Sequence, residues 1–174
     1  MTQERKGVVT FKGNPLTLVG PQIQVGQKAP DFTVLAGDLS AVTLKSSAGK
    51  TRLISVVPSL DTPVCEIQTR RFNQEAAALL GNIEILTISM DLPFAQGRFC
   101  TTAGINKIKV LSDHRDASFG QNWGVLIKEL RLLARSVFVV DDKDVVRYVQ
   151  YVSEITTQPD YGPALAAVKK AAGV

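Results

Sequence analysis

The two cysteines, Cys65 and Cys100, are the strongest potential nucleophiles in this 174-residue sequence. Cys65 lies just past a proline-rich turn in "SLDTPVCEIQTRRFN", residues 59–73. The residues after the turn read as a helix, with Thr62 a favoured N-cap and Pro63 a favoured first helical residue. Val64 and Cys65 then occupy the second and third helical positions. Unpaired backbone N–H groups and the positive end of the helix dipole surround a sulfur placed there, and both favour thiolate over thiol. Most lone cysteines are simply small buried hydrophobes. The cap placement, and the apolar run "TRLISVV" (51–57) that ends at Pro58, favour a reactive cysteine instead.

Ionisation alone does not make a fast thiol enzyme. An ordinary thiol with a pKa near ~8.5 is about 3% thiolate at neutral pH, and lowering it to ~6 gives about 90%. A Brønsted slope of ~0.4–0.5 takes back about tenfold of that roughly 30-fold gain, because the weaker base is the weaker nucleophile. The site must also stabilise a leaving group with donors aimed at developing negative charge. An arginine is the obvious supplier. Arg135, beside the strand-like "SVFVV", has a rigid base, but spacing alone does not select it over a surface or ion-pairing role. Cys100, in "FAQGRFCTTAG", lies far outside C-x-x-C spacing from Cys65. It is either a buried thiol sharing the apolar face of a short helix with Phe94, or a second thiol that attacks an oxidised Cys65. Gly97, Thr101, Thr102 and Gly104 weaken helix around it.

The elements that must hold these groups run in an α/β order. "VVTF" and "LTLV" around "KGNP" read as a β-hairpin. "KAPDFTVLAG" and "VTLKS" read as an extended segment and a short strand. "TRLISVV" is a strand buried on both faces. A helix from Pro63 to about Leu80 would bury Ile67, Phe72, Ala76, Leu79 and Leu80, ending at Gly81–Asn82. "IEILTISM" (83–90) and "IKVLSD" (108–113) are strands, with a short helix between them interrupted by Gly97. "DASFGQNWGV" is a short helix or turn, "SVFVVDDKDVVRYVQYV" (136–152) a hairpin, and "DYGPALAAVKKAAG" an amphipathic helix. No linker, repeat or low-complexity tract divides the chain, so residues 1–174 are expected to form one domain.

Composition narrows the function classes. Hydrophobic content of 45% and charged content of 21% suit a globular protein. The net charge of +4 is spread out, without the basic patch or arm of a nucleic-acid binder. No apolar run reaches the roughly 20 residues needed to span a membrane, and the N-terminus does not read as a signal peptide. A cytoplasmic protein is expected, where thiols stay reduced. With one histidine and no cysteine pair at ligand spacing, no metal site is expected.

"PSLDTPVC" matches the P-x-x-x-T-x-x-C pattern of peroxiredoxins, with Pro58, Thr62 and Cys65 in register. "DLPFAQGRFC", "LARSVFVVD" and "EITTQPDY" resemble segments of the bacterial thiol peroxidase subfamily, the atypical two-cysteine peroxiredoxins. The likeness runs from "FKGNPLTLVG" to the last helix. It implies an α/β thioredoxin-like fold, a central mixed sheet flanked by helices, with an N-terminal β-hairpin extension. It further implies reduction of hydrogen peroxide and organic hydroperoxides without metal, haem, flavin or other cofactor. In that resemblance Cys65 is the peroxidatic cysteine, Thr62 hydrogen-bonds the peroxide and Pro58 shields the thiolate. Arg135 polarises the peroxide, and Cys100 resolves the sulfenic acid as an intramolecular disulfide that thioredoxin reduces. A homodimer is implied as well.

Two other classes share parts of this pattern. A thioredoxin-type oxidoreductase normally uses C-x-x-C, and Thr62 stands where its first cysteine would fall. A redox sensor or thioredoxin-fold binding module could keep the same cysteine pair, but would react once rather than turn over.

Overall fold

The computed structural model describes residues 2–174. Strands β1 (Glu4–Phe11) and β2 (Asn14–Val19) form the expected N-terminal hairpin. Its turn narrows to Lys12–Gly13, with φ of +49° and +82°, the backbone of a type I′ turn that matches strand twist. Next come β3 (Thr33–Leu35), β4 (Ala41–Thr43), a 3₁₀ turn, β5 (Thr51–Val56), α1 (Pro63–Ala76), β6 (Ile83–Ser89), α2 (Pro93–Ala103) and β7 (Lys109–Ser112). The chain continues through α3 (Ser118–Asn122), the two-residue strands β8 (Leu126–Ile127) and β9 (Leu132–Leu133), β10 (Ser136–Val140), β11 (Val146–Tyr151) and α4 (Tyr161–Ala172).

A seven-stranded mixed sheet runs in the order β11-β10-β5-β6-β7-β3-β4. β5, β6 and β7 are parallel, and the flanking pairs are antiparallel. β1, β2, β8 and β9 make a separate antiparallel sheet. Alternation along the strands divides the core in two. Leu53, Ile85, Val137 and Val139 point to one face, where Phe72 of α1 and Ala164, Leu165 and Val168 of α4 cover them. Ile54, Val56, Leu86, Ile88 and Phe138 point to the other, against Phe119, Trp123 and the small sheet's Leu18, Ile127 and Leu133. Trp123 stacks on Phe119 at 5.1 Å between centroids and meets Phe138 edge-on at 5.0 Å. Full burial of each such side chain contributes about 1.5–3 kcal/mol. No helix among the described residues is long and apolar enough to cross a membrane.

Three expectations need correction. α1 ends at Ala76 rather than near Leu80, loosening through Ala77, Ala78 and Leu79, whose N–H groups bond three residues back. Its buried stripe is Cys65, Gln68, Thr69 and Phe72, whereas Ile67 and Leu80 are exposed. Gln68 and Thr69 are buried because both are hydrogen-bonded, so hydrophobic spacing alone misread the inward face. α2 runs unbroken through Gly97, which lies on its exposed side. A glycine there costs about 1 kcal/mol relative to alanine. Pro93 at the first helical position and a left-handed Gly104 at the C-cap bound the helix. β8 and β9 were not expected from the sequence at all.

Candidate active site

Cys65 occupies the third residue of α1, behind Thr62 at the N-cap and Pro63 at the first helical position. This is the placement that the local sequence predicts. The sulfur is fully buried, in a cluster with Val57 and Leu60 against which Phe99 and Val110 pack. Thr62 does not use its side chain to cap the helix. Its hydroxyl donates instead to the Ser59 carbonyl at 2.9 Å.

Arg135 is brought to Cys65 by strand register. β10 pairs antiparallel with β5, with Ser136 opposite Val56, so the preceding residue lands level with Val57, just before Pro58. The guanidinium is 2% exposed and makes three hydrogen bonds. Nη2 donates to Cys65 Sγ at 3.2 Å, Nη1 to Gln68 Oε1 at 2.8 Å, and Nε to the Ile155 carbonyl at 2.8 Å. Gln68 is held in turn by its Nε2, which donates to Ser55 Oγ at 2.7 Å. A buried guanidinium fixed at three edges is a donor oriented in advance toward negative charge at the sulfur.

Residues 153–158 support this arrangement from the far side. Ile155 supplies the carbonyl for Arg135, and Gln158 Nε2 donates to the Val64 carbonyl in the first turn of α1 at 3.2 Å. The Tyr161 hydroxyl donates to Gln158. Burial pushes its pKa up to about 12 against the pull of Arg135 and Arg71, so it stays protonated. The N-terminal hairpin clamps the same segment through Glu154. Its carboxylate accepts from Thr10 Oγ1, Gly13 N, Thr156 N and Thr156 Oγ1 at 2.6–3.0 Å. These bonds, the Thr156 hydroxyl foremost, hold Glu154 down to about 2 from an ordinary 4.5. Its contribution to stability is therefore complete above pH 4.5 and is lost as pH falls toward 2. Glu154→Gln is expected to lower the thermal midpoint at neutral pH, with the gap to wild type narrowing as pH falls from 4.5 toward about 2. A pH-independent gap in thermal melts would contradict this.

Cys100 lies on α2 and is half-buried. It shares its helix face with Gln96 and Phe99. Phe94, expected beside it, is 68% exposed. Burial pushes the Cys100 thiol up, which keeps it protonated in this position. Both cysteines are free thiols. The C-terminus of α2 is tied to α1, where Arg70 Nη1 donates to the Ala103 carbonyl at 3.0 Å. Pro58 is buried at the end of β5.

Ser55, Gln68, Asp91, Glu154 and Gln158 were not singled out from the sequence. The signal for Gln68 was its i+3 spacing from Cys65, on the side that also carries Phe72. Surface cavities of about 210 Å³, beside Lys50 and Lys109, and about 460 Å³, beside Val25 and Lys170, include none of the residues around Cys65. Side-chain chemistry, not cavity size, marks the site.

A cysteine at a helix start, level with the end of a central parallel strand and faced by a buried arginine, places the molecule among thiol-redox proteins of thioredoxin-like fold. A family model described as Redoxin matches residues 24–165. A thiol peroxidase of Halalkalibacterium halodurans is 64% identical over 163 residues, spanning 94% of this chain and 98% of its own length. The thiol peroxidase of Bacillus subtilis is 57% identical over 161 residues, with 92% and 96% covered. A solved peroxiredoxin-like protein from Aquifex aeolicus superposes with a TM-score of 0.88 at 41% identity, covering 97% of this chain and 98% of its own. The chain belongs to the redoxin family and, within it, to the thiol peroxidases.

Proposed function

We propose that residues 1–174 act as one domain that reduces hydrogen peroxide and organic hydroperoxides through Cys65, with Cys100 as resolving thiol and thioredoxin as reductant. The observation that carries this reading is the 3.2 Å hydrogen bond from Arg135 Nη2 to the buried Cys65 sulfur. The Cys65 thiolate attacks one peroxide oxygen, and the O–O bond breaks. Its electron pair leaves on the other oxygen as alkoxide or hydroxide, which takes a proton to become alcohol or water. Cys65 is left as a sulfenic acid. Arg135 stabilises the charge passing from sulfur to the leaving oxygen. The proton of the Thr62 hydroxyl is committed to Ser59, so Thr62 Oγ1 offers lone pairs to the peroxide O–H. Pro58 and Leu60 exclude water from the sulfur.

Cys100 then attacks the sulfenic sulfur, the S–O bond breaks and water leaves with the Cys100 proton. A dithiol donor such as reduced thioredoxin returns two electrons and two protons to regenerate both thiols. The raised Cys100 pKa is consistent with a thiol that becomes reactive only when its segment loosens. A disulfide requires Cα atoms within about 7 Å, whereas Cys65 must keep its pocket to meet substrate. A second copy of the chain would cover the exposed Leu92 and Phe94 in a homodimer. The two free thiols fit work in the cytoplasm.

Cys100→Ser tests the cycle. The first oxidation of Cys65 is expected at a near-normal rate, with no intramolecular disulfide, inefficient recycling by thioredoxin and over-oxidation of the sulfenic acid. Mass spectrometry after one equivalent of peroxide reads these products. A variant that recycles normally leaves Cys100 a packing residue.

A further inference from the structure

We infer that Asp91 is a positioning residue that latches the turn before Cys65 to the start of the Cys100 helix and so restrains disulfide closure. Asp91 lies between β6 and α2, two residues before Pro93. Its Oδ1 accepts from Ser59 Oγ at 2.8 Å, and its Oδ2 from Leu60 N at 2.8 Å and Ser89 Oγ at 2.7 Å. Its carbonyl accepts from Ser112 Oγ on β7. Ser59 and Leu60 belong to the turn between Pro58 and Thr62. The Ser59 carbonyl accepts from both Thr62 N and Thr62 Oγ1, at 3.2 and 2.9 Å. One carboxylate thus fixes, through Ser59, the threonine at the mouth of the Cys65 pocket.

The same group anchors α2 from below. Ser89 Oγ, which donates to Asp91, accepts from Gln96 Nε2 at 3.0 Å, and that amide also donates to the Leu111 carbonyl at 2.8 Å. Gln96 is buried one helical turn before Cys100. Loosening either cysteine segment strains this shared junction. Three donors converge on two carboxylate oxygens, and bonds to a charged acceptor are about twice as strong as neutral ones. The free energy needed to release the turn at residues 59–60 from that acceptor therefore opposes closure.

This inference rests on the two-cysteine reading above. Asp91→Asn keeps the shape but leaves one acceptor oxygen for three donors. The expected result is disulfide closure after one equivalent of peroxide that is faster by roughly tenfold. Over-oxidation should then need more peroxide, because the sulfenic acid is shorter-lived. Oxidation of Cys65 should slow by a few-fold through the displaced Thr62. Rapid quenching with mass spectrometry tracks closure, and stopped-flow fluorescence tracks oxidation. A merely structural residue would slow both steps. Unchanged or slower closure in Asp91→Asn overturns the latch. Should that variant fail to fold, the same measurement on Ser59→Ala, which removes the Ser59 bond to Asp91 together with the longer one that Ser59 Oγ accepts from Asp61 N, decides in the same way. If wild type itself forms no Cys65–Cys100 disulfide, the two-cysteine reading fails and the latch falls with it. Normal wild-type closure with an unaltered variant rate removes Asp91 alone.

Discussion

Cys65→Ser is expected to abolish peroxide turnover. The hydroxyl is close in size to the thiol and can accept the same Nη2 hydrogen bond from Arg135, so the fold and the surrounding packing should survive. Chemistry is lost because a serine hydroxyl is not appreciably ionised near neutral pH, and no general base stands beside this position to activate it. Among the described residues the hydrogen bond to the Cys65 sulfur comes from a guanidinium, which donates only, and the cluster around the sulfur is apolar, while the Thr69 hydroxyl bonds to the Cys65 carbonyl. Peroxide consumption coupled to thioredoxin and its reductase measures the effect. Turnover close to the wild-type rate would remove Cys65 from the mechanism.

Arg135→Ala should slow oxidation of Cys65 by ~10²–10³, the usual loss when one preorganised donor to developing charge is removed. The truncation also strips partners from the buried Gln68 Oε1 and from the Ile155 carbonyl. Each group left unsatisfied costs about 1–3 kcal/mol, so a lower thermal midpoint should accompany the slower rate. Arg135→Lys separates the two effects. It keeps a positive charge, but a single ammonium cannot reproduce a planar fork that reaches sulfur, amide and carbonyl together. Arg131→Ala serves as the control, because Arg131 is exposed in the turn between β8 and β9. Single-turnover oxidation in stopped flow reads all three variants. An Arg135→Ala rate within a few-fold of wild type would transfer the leaving-group role to another residue.

Much of the site is written locally. Thr62 and Pro63 each prefer the helix start, and together they place Cys65 in the first turn without help from distant residues. The strands β5 and β6 are legible as apolar runs for the same reason: burial on both faces leaves little room for polar residues. The N-terminal hairpin is legible in the β-prone runs on either side of "KGNP", and motif likeness then supplied the peroxiredoxin reading and, with it, the thioredoxin-like sheet that the structure displays. Local signals failed where burial is stabilised by polar partners. The inward face of α1 carries Gln68 and Thr69, which apolar periodicity passes over, and its exposed face carries Ile67. Gly97 looked like a break in α2 because propensity counts only the helix itself, while packing against β7 and the Gln96 hydrogen bonds hold the segment in place.

The position of the thiol follows from its immediate neighbours, because Thr62 and Pro63 suffice to build a helix start around it. Local spacing left the choice of arginine open, with only the motif likeness pointing to Arg135, because Arg135 is 70 residues away from Cys65 along the chain. Only pairing β10 beside β5, with Ser136 opposite Val56, brings that guanidinium level with the end of the strand that leads into the cysteine turn. The junction at Asp91 is of the same kind. Its donors come from β6, from β7 and from the turn after β5, three segments that become neighbours only when parallel strands pair side by side. Register and strand order are set by the summed burial of the whole sheet, so the partners they bring together carry no signal in the residues around either one.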